Sequence, residues 1–180
     1  MIEVRLGELE NIPAPGIVRP VTAEWTAVNP AMRRVDAAAG ADVARQCMAM
    51  GELPVGSALV TGAGGLPAEL LIHVIVRSAT EPVSEAGIAK ALQNALRRAD
   101  EWGIEALTLP PLGIGAGGLD AEVAADVMVP ILQKWSQSDR HPRRIIIVAE
   151  SEYERDAFAR ATGSDPVVDG GAIGLPRLDH

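Results

Sequence analysis

Between Leu107 and Asp120 the chain reads Leu-Thr-Leu-Pro-Pro-Leu-Gly-Ile-Gly-Ala-Gly-Gly-Leu-Asp: an apolar, strand-like run, two prolines, four glycines within six residues, then an amphipathic helical pattern. Proline cannot donate to a sheet ladder, so the strand must end by Pro110. Glycines at 113, 115, 117 and 118 permit positive φ angles and close backbone approach. The N–H groups from Gly113 through Ile114, Gly115, Ala116 and Gly117 to Gly118 are thereby expected to converge beside a helix N-terminus, where an anion is stabilised. A nucleotide diphosphate suits such a cradle.

Elsewhere short apolar runs alternate with helical patterns, as in an α/β domain whose sheet is covered on both faces. Strands are expected over 2–6, 17–21, 57–61, 70–76, 106–109 and 144–149. Asn29 and Pro30 read as an N-cap with proline at the first helical position, opening a segment to about Met50 that Gly40 breaks in two. A helix over 85–102 places Ile88, Leu92, Ala95, Leu96 and Ala99 on one side, with Gly103 at its C′ position. Asp120 is expected to cap a helix to Trp135 that turns Val123, Val127, Ile131 and Trp135 inward. Ser151 and Glu154 form a capping box for a last helix carrying Phe158. One domain is expected over residues 1–163, and the Gly-, Pro- and Asp-rich stretch 164–180 reads as a mobile tail.

A formal charge of −8 argues against coating nucleic acid or an acidic membrane, because such binding draws its energy from Lys and Arg. The single Cys47 and three scattered histidines, 73, 141 and 180, make no zinc cluster, so neither metal nor cofactor is expected. No apolar run nears the roughly 20 residues that span a bilayer, and no leader pattern opens the chain, so a cytoplasmic protein is expected. Oligomeric state is not legible.

Gly113, Gly115 and Gly118 satisfy the dinucleotide pattern G-x-G-x-x-G, and Glu150 ends the next strand, where a ribose-binding carboxylate would lie. A dinucleotide fold, however, opens with this unit and continues into further βαβ repeats. Here the unit begins after residue 106 and one strand follows.

The surrounding residues resemble the macrodomains that bind ADP-ribose. The run Gly56-Ser-Ala-Leu-Val-Thr-Gly-Ala-Gly-Gly-Leu-Pro-Ala-Glu-Leu-Leu-Ile-His73 is similar to that family's passage from a strand through a turn into a strand ending Ile-His. Leu109 to Gly118 resembles its second phosphate loop, and Val4-Arg-Leu-Gly-Glu-Leu9 resembles its first strand and Gly-Asp-Ile, with Glu8 in place of the aspartate. The resemblance implies a three-layer αβα sandwich around a mixed, six-stranded sheet, with ligand at the carboxyl ends of central strands. It implies that Glu8 accepts from the adenine amino group, that the Leu9 N–H meets a ring nitrogen, and that the loop holds the diphosphate and distal ribose.

The family's Asn-Ala-Ala-Asn loop is absent: the chain reads Ile17-Val-Arg-Pro-Val-Thr22. Arg19 is a candidate to neutralise phosphate by charge-assisted hydrogen bonds, with Arg33 and Arg34 nearby. Positions resembling the family's two ligand-facing aromatics fall on Gly117 and Ala149, leaving Tyr153 or Trp25 as substitutes. Three functions stay open: binding of ADP-ribose or a related adenine nucleotide, hydrolysis of ADP-ribosyl bonds with Thr22, Glu24 or Asp36 replacing the asparagine, and a scaffold that has lost its ligand. The plainer expectations are a solvated Glu8, a turn at glycines 62, 64 and 65, and packed roles for His73 and Cys47.

Overall fold

In the computed structural model, which describes residues 1–164, six strands form one sheet in the order β1-β6-β5-β2-β4-β3. They are β1 (Ile2–Leu6), β2 (Gly16–Thr22), β3 (Ala58–Gly62), β4 (Leu70–Arg77), β5 (Ala106–Leu109) and β6 (Arg144–Ala149). All neighbours are parallel except β3, which runs antiparallel to β4 at one edge. Boundaries differ from expectation by a residue or so, at β2, β3 and β4. Residues 165–180 of the expected tail lie outside the described residues.

The helices are α1 (Pro30–Ala39), α2 (Ala41–Met48), α3 (Glu85–Glu101), α4 (Ala121–Ser136) and α5 (Glu152–Thr162). Helices α1 and α2 cover one face of the sheet, packing Met32, Val35, Val43 and Cys47 on Ile17, Leu71, Ile146 and Val148. On the other face α3, α4 and α5 cover Val18, Ile72, Val74, Leu107, Ile145 and Ile147. Burial on both faces explains why β4 is apolar almost throughout rather than alternating. No helix among the described residues is long and apolar enough to cross a membrane.

The caps behave as their residue types dictate. Asn29 Oδ1 accepts from Met32 N–H at 2.9 Å, and Pro30 occupies the first turn, where no N–H is needed. Gly40, at φ +98°, separates α1 from α2. Ser151 Oγ accepts from Glu154 N–H, but the Glu154 carboxylate reaches one residue further back than a capping box requires, accepting from Glu150 N–H at 3.1 Å. The inward face of α4 also departs from expectation. Ala121, Ala124, Ala125, Met128, Val129 and Leu132 are buried, whereas Val123, Val127, Ile131 and Trp135 are half-buried at its flank. The helix lies against both α3 and α5, and its alanines turn toward the core with the larger Met128 and Leu132.

Prolines shape the opening between the two central strands. The β2–β5 ladder pairs only Gly16 with Leu107 and Ile17 with Thr108. Beyond it β5 ends at Pro110, and Pro20 has no N–H to offer, so the strands part at their carboxyl ends. The helices that follow them, α1 and α4, leave to opposite faces of the sheet. Such a divergence is where open α/β sheets place ligands.

The turn at residues 62–65 is held against the C-terminal end of α1, where Gly65 N–H donates to Ala39 O at 3.1 Å. Gly64 has φ +58°, and a Cβ there would run into the Ala39 carbonyl oxygen. Gly64→Ala is therefore expected to cost more than about 2 kcal/mol of stability. Gly117→Ala, also at positive φ but facing open space, is expected to cost about 1 kcal/mol. Urea unfolding of the two variants checks the order; equal losses would contradict the packing assigned to Gly64.

Candidate functional site

The parting strands frame a cleft of about 270 Å³ at the carboxyl ends of the parallel strands. Leu9 lines it from beyond β1, Asn29, Pro30, Ala31 and Met32 from the first turn of α1, and Pro110, Pro111, Ile114 and Gly115 from the loop after β5. Val148, Glu150 and Glu154 close it at β6 and α5. Most of this wall is aliphatic. The polar side chains in it are Asn29, Glu150 and Glu154.

The glycine loop divides into two pairs. A Cβ at Gly113 would stand 2.6 Å from Ile88 Cδ1, and one at Gly118 would collide with Gly113 O, so these two glycines are required by packing. The loop closes on itself as Gly118 N–H donates to Gly115 O at 3.0 Å and Leu119 N–H to Gly113 O at 2.7 Å. Gly118 N–H is therefore spent inside the loop rather than offered to a ligand, a correction to the expected cradle. The N–H groups of Ile114, Ala116 and Gly117 have no hydrogen-bond acceptor among the described residues, whereas the parallel bridge of Ile114 with Leu119 turns Gly115 N–H toward Leu119 O. Gly115 faces α1, its Cβ position lying 3.8 Å from Asn29 Cβ.

One end of the cleft is acidic. Arg34 donates through Nε to Glu10 Oε1 at 2.6 Å and through Nη2 to Glu150 Oε1, joining the short 3₁₀ turn Leu9–Asn11, α1 and the end of β6. Burial pushes the Glu150 carboxyl above its ordinary range; Arg34 pulls it back, and Glu10 and Glu8 push the same way as burial. Glu8 is exposed beside Leu9 and accepts from Asn11 Nδ2 at 2.8 Å.

Arg19 does not reach this cleft. It lies beneath α1 with its side chain 8% exposed, ion-paired through Nε to Asp36, while Nη1 donates to His73 Nδ1 at 3.0 Å. A guanidinium only donates, so His73 Nδ1 must be the acceptor and the ring proton resides on Nε2. From there it is donated to Thr61 Oγ1 at 2.8 Å, and Thr61 in turn donates to Gly62 O. Burial first, and Arg19 second, hold His73 far below the usual histidine range, at about 3. Cys47 Sγ lies 3.5 Å from His73 Nε2, and burial raises the thiol. Histidine and cysteine are thus packed groups in a polar seam rather than cleft residues.

The other candidates are placed as follows. Thr22 is buried, its hydroxyl 2.6 Å from that of Thr26 and accepting from Thr26 N–H at 3.0 Å. Glu24 is exposed at the tip of that turn. Trp25, at φ +68°, donates its indole N–H to Gly51 O and sets its ring edge-on to His73 at 6.0 Å between centroids. The Tyr153 hydroxyl donates to the Asp120 carboxylate at 3.1 Å. Neither aromatic lines the cleft. Leu9, Ile114, Gly115 and Glu150 do. Sequence reasoning missed Asn29 as a cleft residue, reading it only as a cap, and missed Arg34 as the tie between Glu10 and Glu150.

A family model described as Macro domain matches residues 30–128, more than half of the chain. The chain belongs to the macro domain family. An uncharacterized protein of Aeropyrum pernix is 35% identical over 159 residues, covering 84% of this chain and 80% of that relative. Among solved structures, the Oceanobacillus iheyensis macrodomain with MES bound superposes with a TM-score of 0.80 at 20% identity, covering 90% of each chain. The Trypanosoma brucei macrodomain in complex with ADP-ribose gives 0.81 at 16% identity, over 90% of this chain and 69% of that one. At these identities the solved structures establish the fold, a mixed six-stranded sheet between helical layers.

The depressed His73 predicts a pH dependence of stability. Unfolded histidine takes up a proton near 6.5 and the buried ring only near 3. The stability this neutral ring confers is therefore complete above pH 6.5 and is lost progressively as pH falls toward 3. Urea unfolding between pH 7.5 and 4.5 should show a slope steeper in the wild type than in His73→Gln by up to about 1.4 kcal/mol per pH unit. Equal slopes would mean that His73 takes up its proton as readily in the folded protein as in the unfolded chain.

Proposed function

We propose that this chain binds ADP-ribose or a related adenine nucleotide diphosphate in the cleft at the carboxyl ends of the parallel strands. One observation carries the reading: the cleft brings aliphatic walls, the first turn of α1 and the unengaged N–H groups of the Gly115 loop together. An apolar base and a diphosphate need that combination. The likeness to a macrodomain seen in complex with ADP-ribose supports it.

In this reading the base lies against Leu9, Met32 and Val148, with its amino group toward Glu8 and a ring nitrogen toward Leu9 N–H. A carboxylate there favours an exocyclic donor over a carbonyl, since a mispaired base leaves buried polar groups unsatisfied. Glu150 accepts from the adjacent ribose, and the diphosphate lies between the α1 N-terminus and Ile114 to Gly117. The reading is of binding rather than hydrolysis. Thr22 and Asp36 are occupied by Thr26 and Arg19, and Glu24 stands outside the cleft lining.

Titration calorimetry with ADP-ribose tests the proposal, and no heat at millimolar ligand would overturn it. Gly115→Val, which projects a branched side chain toward Asn29, is expected to weaken binding at least tenfold while the protein stays folded by circular dichroism. Gly117→Ala, whose added methyl faces open space, is expected to weaken it far less. Glu8→Ala should lose severalfold in affinity for the adenine ligand; unchanged affinity would remove Glu8 from the base-reading role.

A further inference from the structure

We infer that the cleft reads the nucleoside and the diphosphate but not the group attached beyond it, and that the Asn29 amide is its side-chain donor to the diphosphate. This rests on the nucleotide reading above and names the ligand class more narrowly: an adenosine diphosphate carrying any terminal sugar.

The polar groups of the cleft fall into two sets. Glu150 and Glu154 are acceptors and stand at the Leu9 and Val148 end, where they suit the amino and hydroxyl groups of a nucleoside. The donors stand at the other end: the N–H groups of Ile114, Ala116 and Gly117 and the Asn29 amide. Asn29 Oδ1 is engaged with Met32 N–H, while Nδ2 has no partner among the described residues. An amide donor on a phosphate oxygen is a charge-assisted bond, stronger than a neutral one.

Past these donors the segment 21–28 offers a second sugar, among the described residues, only the exposed Glu24, which stands outside the cleft lining. The segment flanking the mouth folds back on itself through the Val21–Ala27 bridge. Thr22 N–H donates to Thr26 O at 3.1 Å, Thr26 N–H donates to Thr22 Oγ1, and the two hydroxyls bond each other. Trp25 is turned toward Gly51 and His73, and Arg19 is held by Asp36 and His73 beneath α1. Ala27 and Val28, nearest Asn29 in this segment, carry no polar side-chain atoms. A terminal sugar keeps its water rather than exchange it for this surface, and contributes no affinity.

Calorimetry of the full chain with ADP-ribose and with ADP-glucose, two ligands of equal charge that differ in the terminal sugar and in the carbon through which it is attached, tests this. Dissociation constants within threefold of each other are expected. Tenfold tighter binding of ADP-ribose would overturn the inference while leaving the nucleotide reading standing, whereas binding of neither would overturn the nucleotide reading itself. Asn29→Ser keeps an oxygen to cap α1 and removes the amide donor; it should weaken both ligands by the same factor, about tenfold. Asn29→Asp keeps the cap equally well and sets a negative charge against the phosphates, so a larger common loss is expected. A loss confined to ADP-ribose, or no loss in either variant, would overturn the role given to Asn29.

Discussion

A guanidinium sits inside the sheet-to-helix layer of this protein, and the α1 side of the cleft is built around the need to neutralise it. Arg19 shares a face of β2 with Ile17 and Val21, in the layer covered by α1 and α2. A charge taken out of water costs several kcal/mol unless it is paired and its remaining protons are satisfied. Asp36, on α1, takes the Nε proton, and His73, on β4, accepts from Nη1. His73 is then committed to one tautomer and donates its single ring N–H to Thr61 on β3. One charged side chain thereby fixes four elements, and the helix it pins is the one whose first turn enters the cleft.

The cleft itself is electrostatically lopsided. Arg34 is committed to Glu10 and Glu150, Arg33 is exposed on α1 outside the lining, and no side-chain cation among the described residues lines the cleft. Anion recognition is left to backbone N–H groups and to the partial charge at the α1 N-terminus, both fixed by the fold. In the proposed reading an acidic chain holds phosphate in this way without a basic patch. The loop that does so is rigid where it must be: Gly113 and Gly118 close it against α3 and against itself, leaving the intervening residues to face outward.

The layered fold was legible because apolar runs buried on both faces and well-capped helices are strong signals. Asn29, Asp120 and Ser151 each cap the helix that follows as their residue types demand. The buried stripe of α4 was harder to read, since alanines carry little weight in a hydrophobic pattern yet fill the face turned toward α3 and α5. Arg19 was misjudged because a cation near a phosphate loop invites a phosphate role. The alternation of β2 held the contrary signal, for Ile17, Arg19 and Val21 point one way, and Asp36 lies on the helix that packs over them. That Arg34 would span Glu10 and Glu150, residues distant in sequence, was not legible, because nothing local marks a long-range ion pair. Asn29 was read correctly as a cap, but a cap residue at the mouth of a cleft also has a second functional group, and only the assembled sheet shows where it stands.

The Arg19–Asp36 pair has an evolutionary consequence. Losing Asp36 strands Arg19 as a buried, uncompensated charge, a change that costs about 3–5 kcal/mol in proteins generally, comparable to much of a domain's stability, whereas losing Arg19 leaves a partly exposed Asp36 without its partner. Residues 19 and 36 are therefore strongly epistatic, and selection sees them as one character rather than two. A lineage that carries the pair can lose it only by a double change or on a background with stability to spare. In that sense the buried pair is a ratchet on this strand.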